Sequence, residues 1–402
     1  MNIALCAPTD IHALARFMGR DTQGIAPGLG CTVITALIIE LLRRGHTVTN
    51  YTLSNDLSEE AIYDWGSLRV FVGPNRRLRY LYRPQIAYLK RVIRADAPRF
   101  VHAHWTYEFA LGALASSVPT LTTIHDLPWN VLRYFQHIGV SVRFLMAYMV
   151  AFKGRSFTAV SPAAARHFRR WLRPGAEIAV IPNFMADWVF DLGRTSDSRA
   201  DRSFTFVTVL QGWSRLKNGK CALRAFQLAR KSLPDARLLM IGLGYEANGA
   251  ARKWATSQGL DQGVTFRGPM QYGALLRFVM QEADVLVHPS VEESFSLAAL
   301  EAMALKKAVI AGVRTPGTRW VLDEGRVGLL VDVRDPKAVA RAMQQLAGNP
   351  ALRRELADAA FEHAWNNFRA DVVVPQYEAL YKRFDDLAGD KSSQPSHEAQ
   401  RT

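Results

Sequence analysis

Cysteine is scarce. Cys6, Cys31 and Cys221 are the only three in 402 residues, and they are odd in number, widely spaced and without a C-x-x-C pair. That pattern argues against a disulfide framework or a thiolate-bound metal, and for a reducing compartment in which each is a small buried hydrophobe. Long apolar runs are missing too: the longest lies near SVRFLMAYMVAF (141–152), about a dozen residues where a spanning helix needs roughly 20, so it cannot cross a bilayer. The opening MNIALCAP has no basic segment ahead of its short apolar run and soon meets Pro8, so it reads as a first β-strand rather than a secretory leader. A cytoplasmic protein is expected. The first strand runs into PTDIHALARFMGR rather than G-x-G-x-x-G, which disfavours a dinucleotide oxidoreductase. No D-x-D is placed as a metal clamp at a strand end, because Asp385 and Asp386 fall in the C-terminal helical stretch.

Acidic residues are outnumbered. The 36 Asp and Glu against 50 Lys and Arg give a formal charge of +14, which draws the chain to polyanions: nucleic acid, an anionic membrane face or phosphorylated substrates. The excess is densest over 74–99, where Arg76, Arg77, Arg79, Arg83, Lys90, Arg91, Arg94 and Arg99 face only Asp96. The interleaved Tyr80, Tyr82 and Tyr88 suit a membrane interface or a stacked base, and a solvated helix face is an equal reading. No recognised nucleic-acid module accompanies the charge.

What is present is a globular composition, 49% hydrophobic and 21% charged, over a length that suggests two domains. From residue 2 the pattern alternates: strand NIALCA, a helix over 30–44, Gly45 as its cap, then strand HTVTNYTL, which is a βαβ start of a parallel sheet. Short strands follow at 100–105, 119–126, 157–161 and 178–184. The polar stretch DLGRTSDSRAD (191–201) breaks the rhythm, and a second alternation restarts with FTFVTVLQGW. The expected layout is a first α/β domain over 1–190, a linker over 191–203, a second α/β domain over 204–370, a helix over 371–388 and a disordered tail over 389–402. Two doubly wound units bind ligands outside the carboxyl ends of their strands, so residues that finish strands carry the function.

The stretch HPSVEESFSLAALEAMA (288–304) does this. The strand DVLVHPS ends at Ser290, Glu293 falls in the loop beyond it, and Ser294 reads as the N-cap of a helix whose first amides, on Phe295, Ser296 and Leu297, suit a phosphate. Glu301, two turns on, can accept two hydrogen bonds from a ribose diol, and Glu293 can accept from hydroxyls past the phosphates. On spacing alone, both glutamates read more readily as ordinary surface charges of an amphipathic helix, with Glu293 merely favourable near the dipole.

The segment HPSVEESFSLAALEAMALKKAVIAG resembles the signature region of family 4 glycosyltransferases, retaining enzymes of the GT-B fold, with Glu293 and Glu301 on its E-x7-E pair. GLGCTVITALIIELLRRGHTVT (28–49), VHAHWTYEFALGALASSVPTLTTIHD (101–126), AVSPAAARHF with VIPNF (159–184), LQGWSRLKNGKCALRAFQLARKSLPDARLLMIGLG (210–244) and VGLLVDVRDPKAVARAM (327–343) resemble further parts of that family in the same order. The resemblance implies two facing Rossmann-like domains, with the last helix crossing back to the first. It implies that Glu293 lies against donor-sugar hydroxyls, that the backbone of Ser294, Phe295, Ser296 and Leu297 holds a diphosphate and that Glu301 holds the ribose. The family has a glycine where this chain has Ser296.

The family also supplies an arginine and a lysine to the departing diphosphate, where a fixed cation favours the transition state over the ground state. Lys217 matches the lysine; Gly212 is followed by Trp213 rather than arginine, which leaves Arg215 as the substitute. His125 matches a histidine that touches the donor sugar, and Asp126 is placed to orient it. Gly28, Gly30, His104, Trp105 and Glu108 are acceptor-side candidates, although glycines also simply turn loops and a strand histidine is as readily a core residue.

No cofactor or metal is expected, the helix dipole and basic side chains doing the electrostatic work. The expected activity is a metal-independent transfer of a hexose or related sugar from a nucleoside diphosphate to a hydroxyl acceptor, a lipid-linked or cell-surface polysaccharide intermediate at the inner membrane face, and the resemblance implies front-face displacement. The membrane part rests on 74–99 and on 141–152, which reads equally as a core helix. A non-catalytic nucleotide-sugar-binding relative and a basic nucleic-acid-binding protein are the alternatives, the latter leaving Glu293 and Glu301 unexplained.

Overall fold

The computed structural model describes residues 1–76, 81–135, 138–195 and 203–392, with 387–392 as backbone alone. Arg77, Arg79 and Tyr80 of the basic segment, 196–202 of the expected linker and 393–402 of the expected tail lie outside the described residues. The described chain forms two compact units, one built from Met1–Val160, Ala164–Ile181 and the helix residues from Asp371 on, the other from Ser161–Ala163 and Pro182–Ala370.

The first unit holds strands β1 (Asn2–Cys6), β2 (Thr47–Ser54), β3 (Ala61–Asp64), β4 (Leu68–Pro74), β5 (Val101–His104), β6 (Thr120–Ile124), β7 (Ser156–Ala159) and β8 (Ile178–Val180). Their spatial order is β3-β4-β2-β1-β5-β6-β7-β8. All pairings are parallel except β3 with β4, an edge hairpin in which Ile62 faces Phe71. The second unit holds β9 (Thr205–Val209), β10 (Arg237–Ile241), β11 (Val264–Phe266), β12 (Val285–His288), β13 (Ala308–Gly312) and β14 (Leu329–Val331) in the order β11-β10-β9-β12-β13-β14, all parallel. Helices cover both faces of such a sheet, so its strands are apolar throughout: every position of β12 and β13 is buried. Strand order reverses between β1 and β5 and between β9 and β12, which marks the switch point of each unit.

Local chemistry sets the helix ends. The helix Thr32–Arg43 buries Ile34, Leu37, Ile38 and Leu41, one stripe at helical spacing. It stops where Gly45, at φ +79, donates to Leu42 O and His46 N reaches Leu41 O, a left-handed exit that glycine enters without strain.

The first unit ends earlier than expected. The helix Asp187–Arg194 spans the anticipated boundary at 191 and belongs to the second unit. Phe190 is fully buried edge-on against Phe361 and Trp365, and a Cβ on Gly193 would stand 2.1 Å from Ala304 O. The apolar residues of DWVF anchor the helix there, and the polar residues after them hid it.

The last helix runs Ala370–Ser392 and so extends past 388 into the expected tail. It returns to the first unit, where Val373, Val374, Tyr377 and Tyr381 are buried and His46 pairs with Glu378 at 2.8 Å. The basic segment is a helix over Arg83–Asp96 whose Tyr88 is core, while Arg83, Lys90, Arg91 and Arg94 are exposed. Its described part is therefore a solvated face, and Tyr88 is withdrawn from any stacking or interfacial role. No helix among the described residues is long and apolar enough to cross a membrane.

Candidate active site

In the second unit the loops after β9 and β12 leave the switch point together. Val291 N donates to Leu216 O at 3.0 Å, and Asn218 Nδ2 donates to Pro289 O at 3.1 Å and to Val333 O at 2.8 Å. Asn218 does so from the left-handed region, φ +54. These bonds bring Lys217 Nζ to 2.7 Å from Glu293 Oε1, with His288 Nε2 3.3 Å from the same oxygen. Burial acts to raise the Glu293 carboxyl, but Lys217 and His288 outweigh it and hold it at about 2, so it is ionised. Gly317 N donates to Glu293 O at 3.2 Å, and a Cβ on Gly317 would lie 2.4 Å from that oxygen; the loop is pressed against a backbone that only glycine permits.

The helix begins two residues later than the sequence suggested. Ser296 is the N-cap, its Oγ accepting from Ala299 N at 3.3 Å, and the helix is Leu297–Ala304. Ser294 stays in the loop because Phe295 turns into the core, 6% exposed and edge-on to Trp320 and Phe368, which draws the preceding chain out of helical register. The family glycine is thus replaced by a residue with a task of its own. The first-turn amides, which have no intrahelical acceptor, are those of Leu297 and Ala298, while those of Phe295 and Ser296 precede the helix. Glu301 lies one turn from Leu297 on the same face. Its carboxyl is raised to about 7 by burial, offset in part by a hydrogen bond from Tyr272.

Arg215 lies on the same loop as Lys217 but is exposed, with no hydrogen bond or ion pair among the described residues. Gly212 takes φ +98, and Trp213 after it packs edge-on to Tyr245 and against Trp254, each at 5.6 Å. The position that carries arginine in the family is therefore part of an aromatic cluster in this chain.

In the first unit, His104 ends β5 and His125 follows β6. His104 Nδ1 lies 3.0 Å from His125 Nε2, and Trp105, at φ +63, stacks on His125 with centroids 4.3 Å apart. Behind them His102 bonds to Tyr381 Oη at 2.7 Å and Thr123 Oγ1 at 2.6 Å. Burial lowers His125 and His102 to about 3 and His104 well below its ordinary value, so all three imidazoles are neutral at physiological pH. His104 and Trp105 contact the His125 ring, and Asp126 accepts a hydrogen bond from Tyr107. Glu108 is buried, which raises its carboxyl, and its Oε2 has no hydrogen-bond partner among the described residues. Gly28 has a steric reason for being glycine, since a Cβ would lie 2.3 Å from Thr9 O; Gly30 stands open at φ +67.

The sequence had not singled out His288, Asn218 or Tyr272. His288 stood inside the quoted motif; the other two act through partners far along the chain. Among the described residues no three His, Cys, Asp or Glu side chains are grouped to hold a metal ion.

Comparison with known proteins agrees with this architecture. Residues 202–349 match the family described as glycosyl transferases group 1, and residues 32–186 match glycosyltransferase family 4. The chain is 25% identical over 302 residues to N-acetyl-alpha-D-glucosaminyl L-malate synthase of Bacillus anthracis, 73% of this chain and 76% of that protein. It is 35% identical over 185 residues to D-inositol 3-phosphate glycosyltransferase of Corynebacterium urealyticum, 44% of this chain but only 42% of that one, so the match spans less than half of that relative. Among solved structures, sucrose-phosphate synthase from Thermosynechococcus elongatus superposes with a TM-score of 0.76 at 21% identity, over 96% of this chain and all of the other. Anabaena HepE in complex with UDP gives 0.67 at 17%, over 95% of this chain and all of the other, and these two likenesses carry the fold alone. Two parallel-sheet units with a returning C-terminal helix, and two family matches that between them take in both units, establish that the chain belongs to the family 4 glycosyltransferases and has the GT-B fold.

Proposed function

We propose that this glycosyltransferase moves a sugar from a nucleoside diphosphate to a hydroxyl acceptor with retention of configuration and without a metal. The observation that carries the reading is the Lys217–Glu293–His288 cluster at the β9/β12 switch point, beside the first-turn amides of Leu297–Ala304 and the Glu301 carboxyl. A diphosphate on those amides meets a positive helix end, and Lys217 is within reach to exchange Glu293 for phosphate as the leaving group gains charge. Glu293, ionised, then accepts from sugar hydroxyls, and Glu301 accepts from the ribose diol. In the chemical step the bond from C1 to the diphosphate oxygen breaks as C1 bonds to the acceptor oxygen on the same face, and the acceptor proton passes to the departing diphosphate. His125, neutral in its stack with Trp105, serves as a hydrogen-bonding group rather than a fixed cation. Arg215 is free to reach an anion without first breaking an ion pair among the described residues.

A nucleotide-sugar donor is supported by the neighbours crystallised with UDP, with UDP and glucose, and with UDP-glucose. For the acceptor we favour a lipid-linked or cell-surface polysaccharide intermediate, met by peripheral association with an anionic membrane from the cytoplasmic side. A second reading, favoured by relatives named for L-malate and inositol 3-phosphate, is a small anionic hydroxyl compound. Thermal-shift screening of UDP-, GDP- and ADP-sugars, followed by hydrolysis assays of the parent and Glu293→Ala, tests the core of the reading. Binding with turnover that Glu293→Ala abolishes supports it; binding without turnover supports a non-catalytic relative, and no binding overturns both. Retention is read by NMR from the anomeric configuration of the product.

A further inference from the structure

The helix Ile138–Lys153 has two apolar faces, and only one of them is covered. Val140, Met146, Ala147, Val150 and Ala151 are buried against the first unit. Ile138, Leu145, Tyr148, Met149 and Phe152 are exposed by 72%, 58%, 53%, 38% and 82%. At about 100° per residue these five fall within an arc of about 100°, so they form a single stripe. Beside it Trp129 stacks on Trp171 at 5.0 Å, both partly exposed, and Trp129 also packs on Phe144, the helical neighbour of Tyr148. Tryptophans with one wet edge beside an aliphatic stripe are the composition of a membrane interface.

The charge of the sequence that carries the stripe is of one sign, the nearby carboxylate Glu108, which interacts with Arg143, being buried. From Leu127 to Ala176 the sequence holds eight Arg and Lys and no Asp or Glu. Arg133, Lys153, Arg155 and Arg170 are exposed, and Arg170 lies over the Trp171 ring at 5.3 Å. A partner protein of ordinary composition gives no reason for fifty residues without a carboxylate; an anionic lipid surface does, because every cation gains there and every anion loses.

We propose that the stripe of the helix Ile138–Lys153 lies in the headgroup region of an anionic bilayer, with Trp129 and Trp171 at its edge and the surrounding arginines and lysines on lipid phosphates. This deepens the membrane part of the reading above and is independent of whether a sugar is transferred. The helix lies on the surface; with Arg143 and Lys153 in its 16 residues it does not cross.

The test is co-flotation of the full chain with vesicles of phosphatidylcholine alone or mixed with phosphatidylglycerol, at low and high salt. Binding to the mixed vesicles that falls with salt is expected, together with a loss of roughly tenfold or more in the Leu145→Glu/Phe152→Glu double variant. Unchanged circular dichroism, thermal midpoint and donor binding in that variant show that the folded protein and its donor site persist, so a failure of this proposal and a failure of the transferase reading are told apart. The proposal is overturned if the parent ignores anionic vesicles, if the double variant binds as the parent does, or if sedimentation shows a parent dimer that the two substitutions dissolve, which would make a second copy the occupant.

Discussion

Replacing Lys217 by methionine removes the cation 2.7 Å from Glu293 Oε1 and keeps much of the side-chain volume. Burial acts to raise the Glu293 carboxyl from 4.5, and Lys217 with His288 brings it to about 2 instead. At about 1.4 kcal/mol for each tenfold, that net fall is worth ~3 kcal/mol of preference for the ionised form in the folded state. A folded value below the unfolded one contributes stability that is present above about pH 4.5 and lost as pH falls toward 2. With methionine at 217 the carboxylate keeps its burial and loses its main partner. The second unit should then unfold with ~2–3 kcal/mol less stability at pH 7, the deficit closing as acid protonates Glu293 in the variant. Glu293→Gln in the Lys217→Met background should restore most of the loss, giving a coupling of about 2 kcal/mol in a double-mutant cycle followed by urea titration and tryptophan fluorescence. Additive losses, with a coupling below about 0.5 kcal/mol, would refute the pair as the element that holds Glu293 ionised.

Four further outcomes are expected. Nucleotide-sugar affinity, measured by calorimetry, should fall by up to about tenfold per pH unit below 7 as Glu301 protonates, and Glu301→Gln should flatten that profile at weaker affinity. The folded value of Glu301 lies above its unfolded one, so its contribution is fully present below pH 4.5 and lost as pH rises through about 7; Glu301→Gln should therefore match or exceed the parent in stability at pH 8. Gly317→Ala, whose Cβ would stand 2.4 Å from Glu293 O, should cost ~1–3 kcal/mol and weaken donor binding, read by thermal shift with and without nucleotide. Prolonged EDTA treatment should leave transfer rates unchanged; a loss restored by a divalent cation would remove the metal-independent mechanism.

The parallel sheets were legible because a strand covered on both faces is an unbroken apolar word: VLVH and AVIAG read the same in the sequence and in the fold. The hairpin β3–β4 was not, because an edge strand as short as AIYD, half exposed, lacks that signature. Glu293 and Glu301 lie on the loop and the helix that the pattern predicts, yet the N-cap is Ser296 where the local rule points to Ser294. Both serines satisfy the local rule, and the choice falls to Phe295, whose partners Trp320 and Phe368 are invisible from its own neighbourhood. Tyr272 and Asn218 escaped notice for the same reason. The apolar stretch 141–152 reads equally as core or as interface, and the structure buries one face of its helix and leaves the other exposed.

The returning helix has a consequence for how the protein is made. Tyr377 and Tyr381, which pack against His102, are synthesised after the whole of the second unit, whereas β1 and β2 precede it. A fragment ending at Ile181 carries every strand of the first sheet but lacks the phenol hydroxyl that meets His102 Nδ1. The first unit is therefore completed only after the second has been made, and loss of the helix Ala370–Ser392 is expected to disturb the histidine cluster rather than the loops after β9 and β12.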